Sequence, residues 1–333
     1  MTFMRELTYS EAIREALAEE MARDASVFLI GEDVGVFGGV FGVTQGLLDQ
    51  FGEARVLDTP ISESAIIGAA LGAAMMGLRP VAEIMFGDFL PVAGDQIVNQ
   101  LAKARYMSGG KANVPVTVRV TTGAPGSAAQ QHSQSPEAWF MNVPGLKIVT
   151  PASPADAKGL LKTAIRGNDP VLFFEHKMLY AEKGDVPIDP DFLVPFGEAR
   201  IVREGAHITV VAIGGMVRHA LRAADQLAAE GIQLEVIDPR TLVPFDLETV
   251  VRSVEKTGRL IIAHEAHKRC GPGAEIAALI AEEALDWLDA PIVRIAAKNV
   301  PIPYAPALEQ YVLPSAEDIV AAAHKLALPL RVR

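Results

Sequence analysis

Short apolar runs alternate with amphipathic stretches along this chain, and the order of the two predicts most of its elements. Val27–Ile30, Arg55–Thr59, Val81–Met85, Val114–Thr121, Leu146–Thr150 and Val171–Glu175 read as strands, rich in β-branched residues and bounded by turn formers. Helical patterns lie between them. Thr8 and Glu11 have capping-box spacing ahead of an amphipathic run to Arg23, and further helices are expected near Thr44–Phe51, Ser64–Gly77, Asp88–Tyr106 and Ala155–Arg166. Strands with apolar residues at successive positions, separated by helices, point to parallel βαβ units. The periodicity fails from about Met178 to Arg200, where Pro187, Pro190 and Pro195 punctuate the chain. A second series follows, with strands at Ile208–Ile213, Leu234–Asp238, Leu260–Ala263 and Ile292–Ile295. Its helices are expected at Met216–Glu230, Leu247–Lys256, Glu275–Leu288 and Ala316–Leu326. The expected fold class is α/β with two domains, residues 1–180 and 201–333, joined by a linker at residues 181–200.

Composition narrows the function classes. A chain of 333 residues is longer than one ordinary core, in keeping with two domains. The net charge of −11 argues against a nucleic-acid partner, which needs a basic face, and permits a basic protein module. Cys270 is the single cysteine, so no internal disulfide or cysteine metal cluster is expected, as in a reducing compartment. The opening Met-Thr-Phe-Met-Arg-Glu lacks the apolar core of a secretory signal. Ala65–Leu78, an uncharged helix-like run, falls short of the roughly 18 residues that span a bilayer. A soluble, cytoplasmic chain with no membrane partner is expected.

The candidate chemistry is concentrated at a few positions. Ser64–Gly77 is so rich in glycine and alanine that close approach by another element is its natural purpose, because each helical glycine costs about 1 kcal/mol relative to alanine. Glu63 stands at the mouth of this helix. It complements the positive end of the helix dipole, or it is a partly desolvated carboxyl that handles protons. His132 lies among Gln130, Gln131, Ser133, Gln134 and Ser135 in a loop after a strand, where it is either an acid–base group or part of a capped turn. No nucleophile elbow surrounds Ser133. His264 and His267 have no evident third metal ligand, and structural roles are expected for them. Gly271-Pro272-Gly273 and Gly123-Ala124-Pro125-Gly126 read as turns rather than phosphate cradles, and no P-loop occurs.

Several segments in consistent order carry a resemblance. Gly31-Glu32-Asp33-Val34, Asp58–Glu63, Ala82-Glu83-Ile84-Met85-Phe86, Asp95-Gln96-Ile97, Gln131–Ala138, Ala157-Lys158-Gly159-Leu160 and Phe174-Glu175-His176-Lys177 fall in the first half. Val236-Ile237-Asp238-Pro239-Arg240-Thr241 and Pro301-Ile302-Pro303-Tyr304 fall in the second. Together they closely resemble the β subunit of the thiamine-diphosphate-dependent E1 component of 2-oxo acid dehydrogenase complexes, over essentially the whole chain. The resemblance implies a pyrimidine-binding, transketolase-like first domain and a second domain like the transketolase C-terminal domain. It places the family's essential glutamate on Glu63, which hydrogen-bonds the ring nitrogen of thiamine diphosphate. The aromatic ring that packs on the pyrimidine falls on Phe89, a neighbouring acid on Glu32, and the histidine that assists acyl transfer on His132. A potassium site of some relatives would map to Val116, Ala164, Ile165 and Asp169, with Gly167 where an acidic residue is usual.

The chain holds no Gly-Asp-Gly, the usual start of the Mg²⁺–diphosphate motif; Gly87-Asp88-Phe89 comes nearest. The resemblance therefore implies half of an active site, completed by an E1 α subunit in an α2β2 assembly and served by an E2 lipoyl acyltransferase core. Leu172–Tyr180 and Pro301–Pro306 look like pyruvate or acetoin dehydrogenases, and pyruvate is the favoured substrate. Acetoin and branched-chain 2-oxo acids are the alternatives, the latter from the His132–Ala138 segment. A subunit whose main role is docking E2, and a single-chain transketolase, are the competing readings.

Overall fold

A computed structural model describes residues 3–327, so residues 1–2 and 328–333, the outer ends of the two expected domains, lie outside the described residues. The chain divides into two compact units. The first takes residues 1–122 and 139–196, the second residues 123–138 and 197–333. In chain order to residue 196 the elements are β1 (Met4–Thr8), α1 (Tyr9–Arg23), β2 (Val27–Gly31), α2 (Leu47–Phe51), β3 (Val56–Asp58), α3 (Glu63–Met75) and β4 (Arg79–Ile84). There follow α4 (Ala104–Met107), β5 (Thr117–Thr122), α5 (Glu137–Met141), β6 (Lys147–Val149), α6 (Pro154–Arg166), β7 (Val171–His176) and β8 (Lys183–Pro187).

Six of these strands form a parallel sheet in the order β6-β7-β5-β4-β2-β3. On one face, Ile13, Ala16 and Leu17 of α1 pack with Leu160, Leu161 and Ala164 of α6 in a single apolar cluster. The capping box that opens α1 is present, with Thr8 and Glu11 exchanging backbone-to-side-chain bonds of 2.8 and 3.2 Å. Lys158 and Lys162 of α6 are fully enclosed, yet each ammonium meets α1 carboxylates: Lys158 reaches Glu15 at 2.5 Å and Glu19 at 2.8 Å, and Lys162 reaches Glu19 at 2.5 Å. Buried charges of this kind are tolerated only when paired.

Two regions differ from the expectation. Asp88–Tyr106 is not one helix. It breaks into a 3₁₀ stretch at Gly87–Ala93, a π-helical turn at Gln96–Leu101 and α4, with Pro91 inside the first piece removing a backbone donor. Residues 181–200 are not featureless either. They hold β8, which pairs antiparallel with β1 so that Met4 lies opposite Pro187. Met-Arg-Glu-Leu-Thr in β1 is mostly exposed and carries no apolar pattern to announce it.

The second unit contains β9 (Arg200–Arg203), β10 (Ile208–Ala212), α7 (Met216–Ala228), β11 (Leu234–Asp238), β12 (Thr241–Val243), α8 (Leu247–Thr257), β13 (Leu260–His267), α9 (Pro272–Glu283), β14 (Val293–Ala297), α10 (Pro306–Val312) and α11 (Ala316–Ala327). Its sheet runs β14-β13-β10-β11-β9, parallel except for the edge strand β9. Here the glycines of Gly271-Pro272-Gly273 have a purpose the sequence did not disclose. A Cβ on Gly271 or Gly273 would stand 2.6 or 2.8 Å from the ring of His264, which is 1% exposed. The turn is glycine-rich so that α9 can start against a buried imidazole. Burial pushes that imidazole down to about 4, helped by the charge of Arg294.

Candidate active site

Ligand sites in parallel α/β sheets form beyond the carboxyl ends of the strands, and three expected site residues leave neighbouring strands there. Glu32 follows β2 directly. Glu63 opens α3 after β3, and Phe89 lies in the 3₁₀ stretch after β4. Those strands are adjacent in the order β4-β2-β3. Gly31 is glycine because a Cβ would fall 2.9 Å from the Glu83 carbonyl oxygen, so β2 can end flush against β4 and deliver Glu32. The segment after β3 is tied down by the Thr59 N–H to the Gly31 carbonyl at 2.9 Å. Asp58 accepts from the Gly35 and Val36 N–H groups at 2.6 and 3.1 Å, which fixes the loop that follows Glu32.

Glu63 is 8% exposed, and Glu32 accepts a hydrogen bond from the backbone of Ser62 beside it. Burial raises the Glu32 carboxyl above the ordinary range, and the nearby charge of Glu63 adds to the effect. A carboxyl raised in this way makes Glu32 a place where a proton is readily kept. Ser64 donates to the Val92 carbonyl at 2.7 Å and so binds the start of α3 to the stretch carrying Phe89. The half-buried Phe89 ring meets Phe86 edge-on at 5.9 Å. The Thr59 hydroxyl nearby is buried with no hydrogen-bond partner. A buried carboxyl, an aromatic ring and an orphaned hydroxyl fit a flat heteroaromatic ring with polar edges.

Behind β2 the sheet is braced by a charged network that the sequence reading did not pick out. Arg119 of β5, 1% exposed, pairs with Glu175 of β7 through Nε and Nη2 at 2.7 and 2.8 Å, and with Glu83 of β4 at 2.6 Å. Tyr180 donates to Glu175 at 2.8 Å and meets the Thr121 hydroxyl at 2.8 Å. Burial opposes the guanidinium charge, but the two carboxylates outweigh it and hold Arg119 ionised. One cation facing two acids leaves an excess negative charge, so the enclosed Glu83 carboxyl is raised, by burial first and by Glu175 in addition.

His132 belongs to the segment 123–138, which follows β5 in the chain and groups with the second unit. The base of this loop is closed by the Gly123 N–H to the Gln134 carbonyl at 3.1 Å. His132 is half-buried, and the Ser133 hydroxyl beside it is buried without a partner. Among the described residues no three His, Cys, Asp or Glu side chains converge as they would around a metal ion. No helix among them is long and apolar enough to cross a membrane.

Residues 5–183 match the pyrimidine binding domain of transketolase, and residues 197–319 match the transketolase C-terminal domain. The chain is 51% identical over 329 residues to the β subunit of acetoin:2,6-dichlorophenolindophenol oxidoreductase of Bacillus subtilis, covering 95% of this chain and 96% of that protein. It is 48% identical over 321 residues to the pyruvate dehydrogenase E1 component subunit β of Rhizobium meliloti, covering 96% of this chain and 70% of the relative. Among solved structures, a split-gene transketolase in an inactive β4 tetramer aligns with a TM-score of 0.78 and 25% identity, covering 96% of this chain and 98% of the other. The chain belongs to the family of thiamine-diphosphate-dependent E1 β subunits.

Its relatives are named as β subunits of larger assemblies, which implies an α partner. In this E1 β chain the four positions mapped to potassium already have partners. Arg79 reaches the Ile165 carbonyl through Nε at 2.9 Å and the Arg166 carbonyl through Nη2 at 2.7 Å, and the same nitrogen bonds the Gly167 carbonyl. Asp169 binds Arg105 at 2.6 Å and Lys147 at 2.8 Å. The Ala164 carbonyl accepts from Gly167 at 3.1 Å and the Val116 carbonyl from Val171 at 3.0 Å. A carbonyl that already accepts from a guanidinium and a carboxylate that already pairs with two cations do not fit a bare monovalent cation.

Proposed function

We propose that this E1 β chain supplies the pyrimidine-activating half of a thiamine-diphosphate site, with an α chain holding the diphosphate and its Mg²⁺. When bound, the cofactor supplies a carbon nucleophile and electron sink that let a bond beside a ketone carbonyl break. Glu63 would hold its carboxyl against the pyrimidine ring nitrogen and exchange a proton there, while Glu32 keeps the local charge low. Phe89 would offer its ring to the flat face of the pyrimidine. His132 would hold or donate a proton where the acyl group passes to the lipoyl sulfur of E2. The observation that carries this is the convergence of Glu32, buried Glu63 and Phe89 from segments leaving three adjacent strands.

Pyruvate is the favoured substrate of the two that Leu172–Tyr180 and Pro301–Pro306 resemble. Acetoin is the second reading, supported by the 51% identity to an acetoin-oxidising relative. The test is co-expression with the candidate α chain, followed by turnover assays on pyruvate, branched-chain 2-oxo acids and acetoin. Activity is expected only in the assembly. Turnover by the β chain alone with Mg²⁺ and thiamine diphosphate would refute the half-site proposal.

The proposal includes no potassium, since Arg79 provides the positive charge at the end of α6. Wild-type melting is expected to match in potassium and choline chloride, within about 1 °C. Arg79→Met leaves three carbonyls short of a donor and should cost several degrees, on the order of 1–3 kcal/mol. A wild-type Tm that climbs with K⁺ but not with choline would count against this assignment.

A further inference from the structure

The loop that carries His132 is shaped against its own preferences. Ser127 and Ala129 both take left-handed backbone conformations, with φ of 51° and 62°, although neither is glycine. Such conformations persist only where surrounding contacts dictate them. The contacts here come from α10 and β13. Glu309 of α10, 2% exposed, accepts from the Ser127 N–H at 3.2 Å to each carboxylate oxygen and from the Gly126 N–H at 3.3 Å. Glu265 of β13 accepts from the Ala124 N–H. Ala124 is itself packed against Ile302 and Val312 at the two ends of the α10 region.

Glu309 has no cation beside it among the described residues. A buried carboxylate without a counter-charge survives only by accepting from several donors, and successive backbone N–H groups in a left-handed turn form such an anion nest. The relation runs both ways. The nest stabilises Glu309, and Glu309 holds the nest in the shape that the chain would otherwise abandon. From this anchored turn the chain runs to His132, whose N–H meets the Ala129 carbonyl at 3.4 Å, before closing at Gln134.

We propose that Glu309 is a positioning residue for acyl transfer: its carboxylate, seated on the Gly126–Ser127 amides, sets where the loop presents His132. This rests on the reading of His132 given above, and the test separates the two. The α–β assembly, loaded with Mg²⁺ and thiamine diphosphate, is assayed in two ways, by turnover coupled to the dye 2,6-dichlorophenolindophenol and by acylation of a free lipoyl domain. Glu309→Ala is expected to lower kcat for lipoyl acylation by at least about 10-fold and the dye-coupled rate by less than about 3-fold, matching the selectivity of His132→Ala. Glu309→Gln, which keeps one accepting oxygen, should fall between wild type and Glu309→Ala. Backbone hydrogen exchange should rise at residues 126–132 in both Glu309 variants and stay unchanged in the sheet. Equal loss of the two activities, or acylation and exchange both within about 2-fold of wild type, would overturn the proposal. If His132→Ala left acylation intact while Glu309→Ala reduced it, the histidine assignment would fail and take this inference with it. Should Glu309→Ala not assemble, the Gln variant carries the same comparison.

Discussion

Glu63→Gln in the assembled enzyme is expected to reduce turnover by roughly 10² to 10⁴-fold, the range associated with a positioned acid–base group. Glutamine preserves the size of the side chain and a hydrogen-bonding oxygen, so α3 and its packing should survive. What it removes is the exchangeable proton. Glu63 lies in the first turn of α3, 8% exposed, beside a second carboxyl that its own charge helps to hold above the ordinary range. If Glu63 served only the helix dipole, the same change would cost a few tenths to about 1 kcal/mol of stability and leave turnover near wild type. Size-exclusion chromatography, a melting curve and a steady-state rate distinguish these cases. Unchanged turnover with an intact assembly would favour a subunit that chiefly docks E2.

The second large effect concerns acid stability. His264 is buried neutral, with its folded value near 4 against an ordinary value of 6.5. Above pH 6.5 neither the folded nor the unfolded chain protonates it, and its contribution is complete. Between pH 6.5 and 4 the unfolded chain takes up a proton that the folded chain refuses, so stability falls as pH falls. Below pH 4 both states are protonated and the effect levels off. Integrated from pH 7 to 4, this is about 3 kcal/mol. Denaturant titrations of wild type and His264→Leu at both pH values isolate it, because carboxylate contributions are common to the two proteins and cancel. Wild type should lose about 3 kcal/mol more than the variant on acidification. Parallel losses would mean that this histidine is hydrated or protonated in the fold.

The apolar strands of both series were legible in the sequence because burial on both faces leaves a continuous signature, as in Val171–His176 and Leu234–Asp238. Strand β1 was not, since an exposed ribbon strand needs no apolar pattern. Arg119, Glu83 and Glu175 each put a charge among buried neighbours on adjacent strands, and that shared oddity was the available signal: a charge enclosed in a sheet needs partners on adjacent strands. Glu309 and Glu265 gave no comparable sign. Their partners are backbone amides more than 100 residues away, at sequence separations of 182 for Ser127–Glu309 and 141 for Ala124–Glu265. Single-residue patterns contain nothing about such pairings. Arg79 was hidden similarly, because its partners are carbonyls that every residue possesses.

The small-residue helix has a consequence for how the chain fares in a cell. Gly68 is accounted for within the chain, with Gln96 lying 3.3 Å from where its Cβ would be, but Gly72 faces open space and Ala65, Ala69 and Met76 share its exposure. A newly made copy would leave this apolar strip open to water. Orphan copies of that kind are substrates for chaperones and proteases. Were α to cover the strip on assembly, the steady-state amount of the β chain would follow the supply of α, whatever its own rate of synthesis, and balanced stoichiometry would come from turnover.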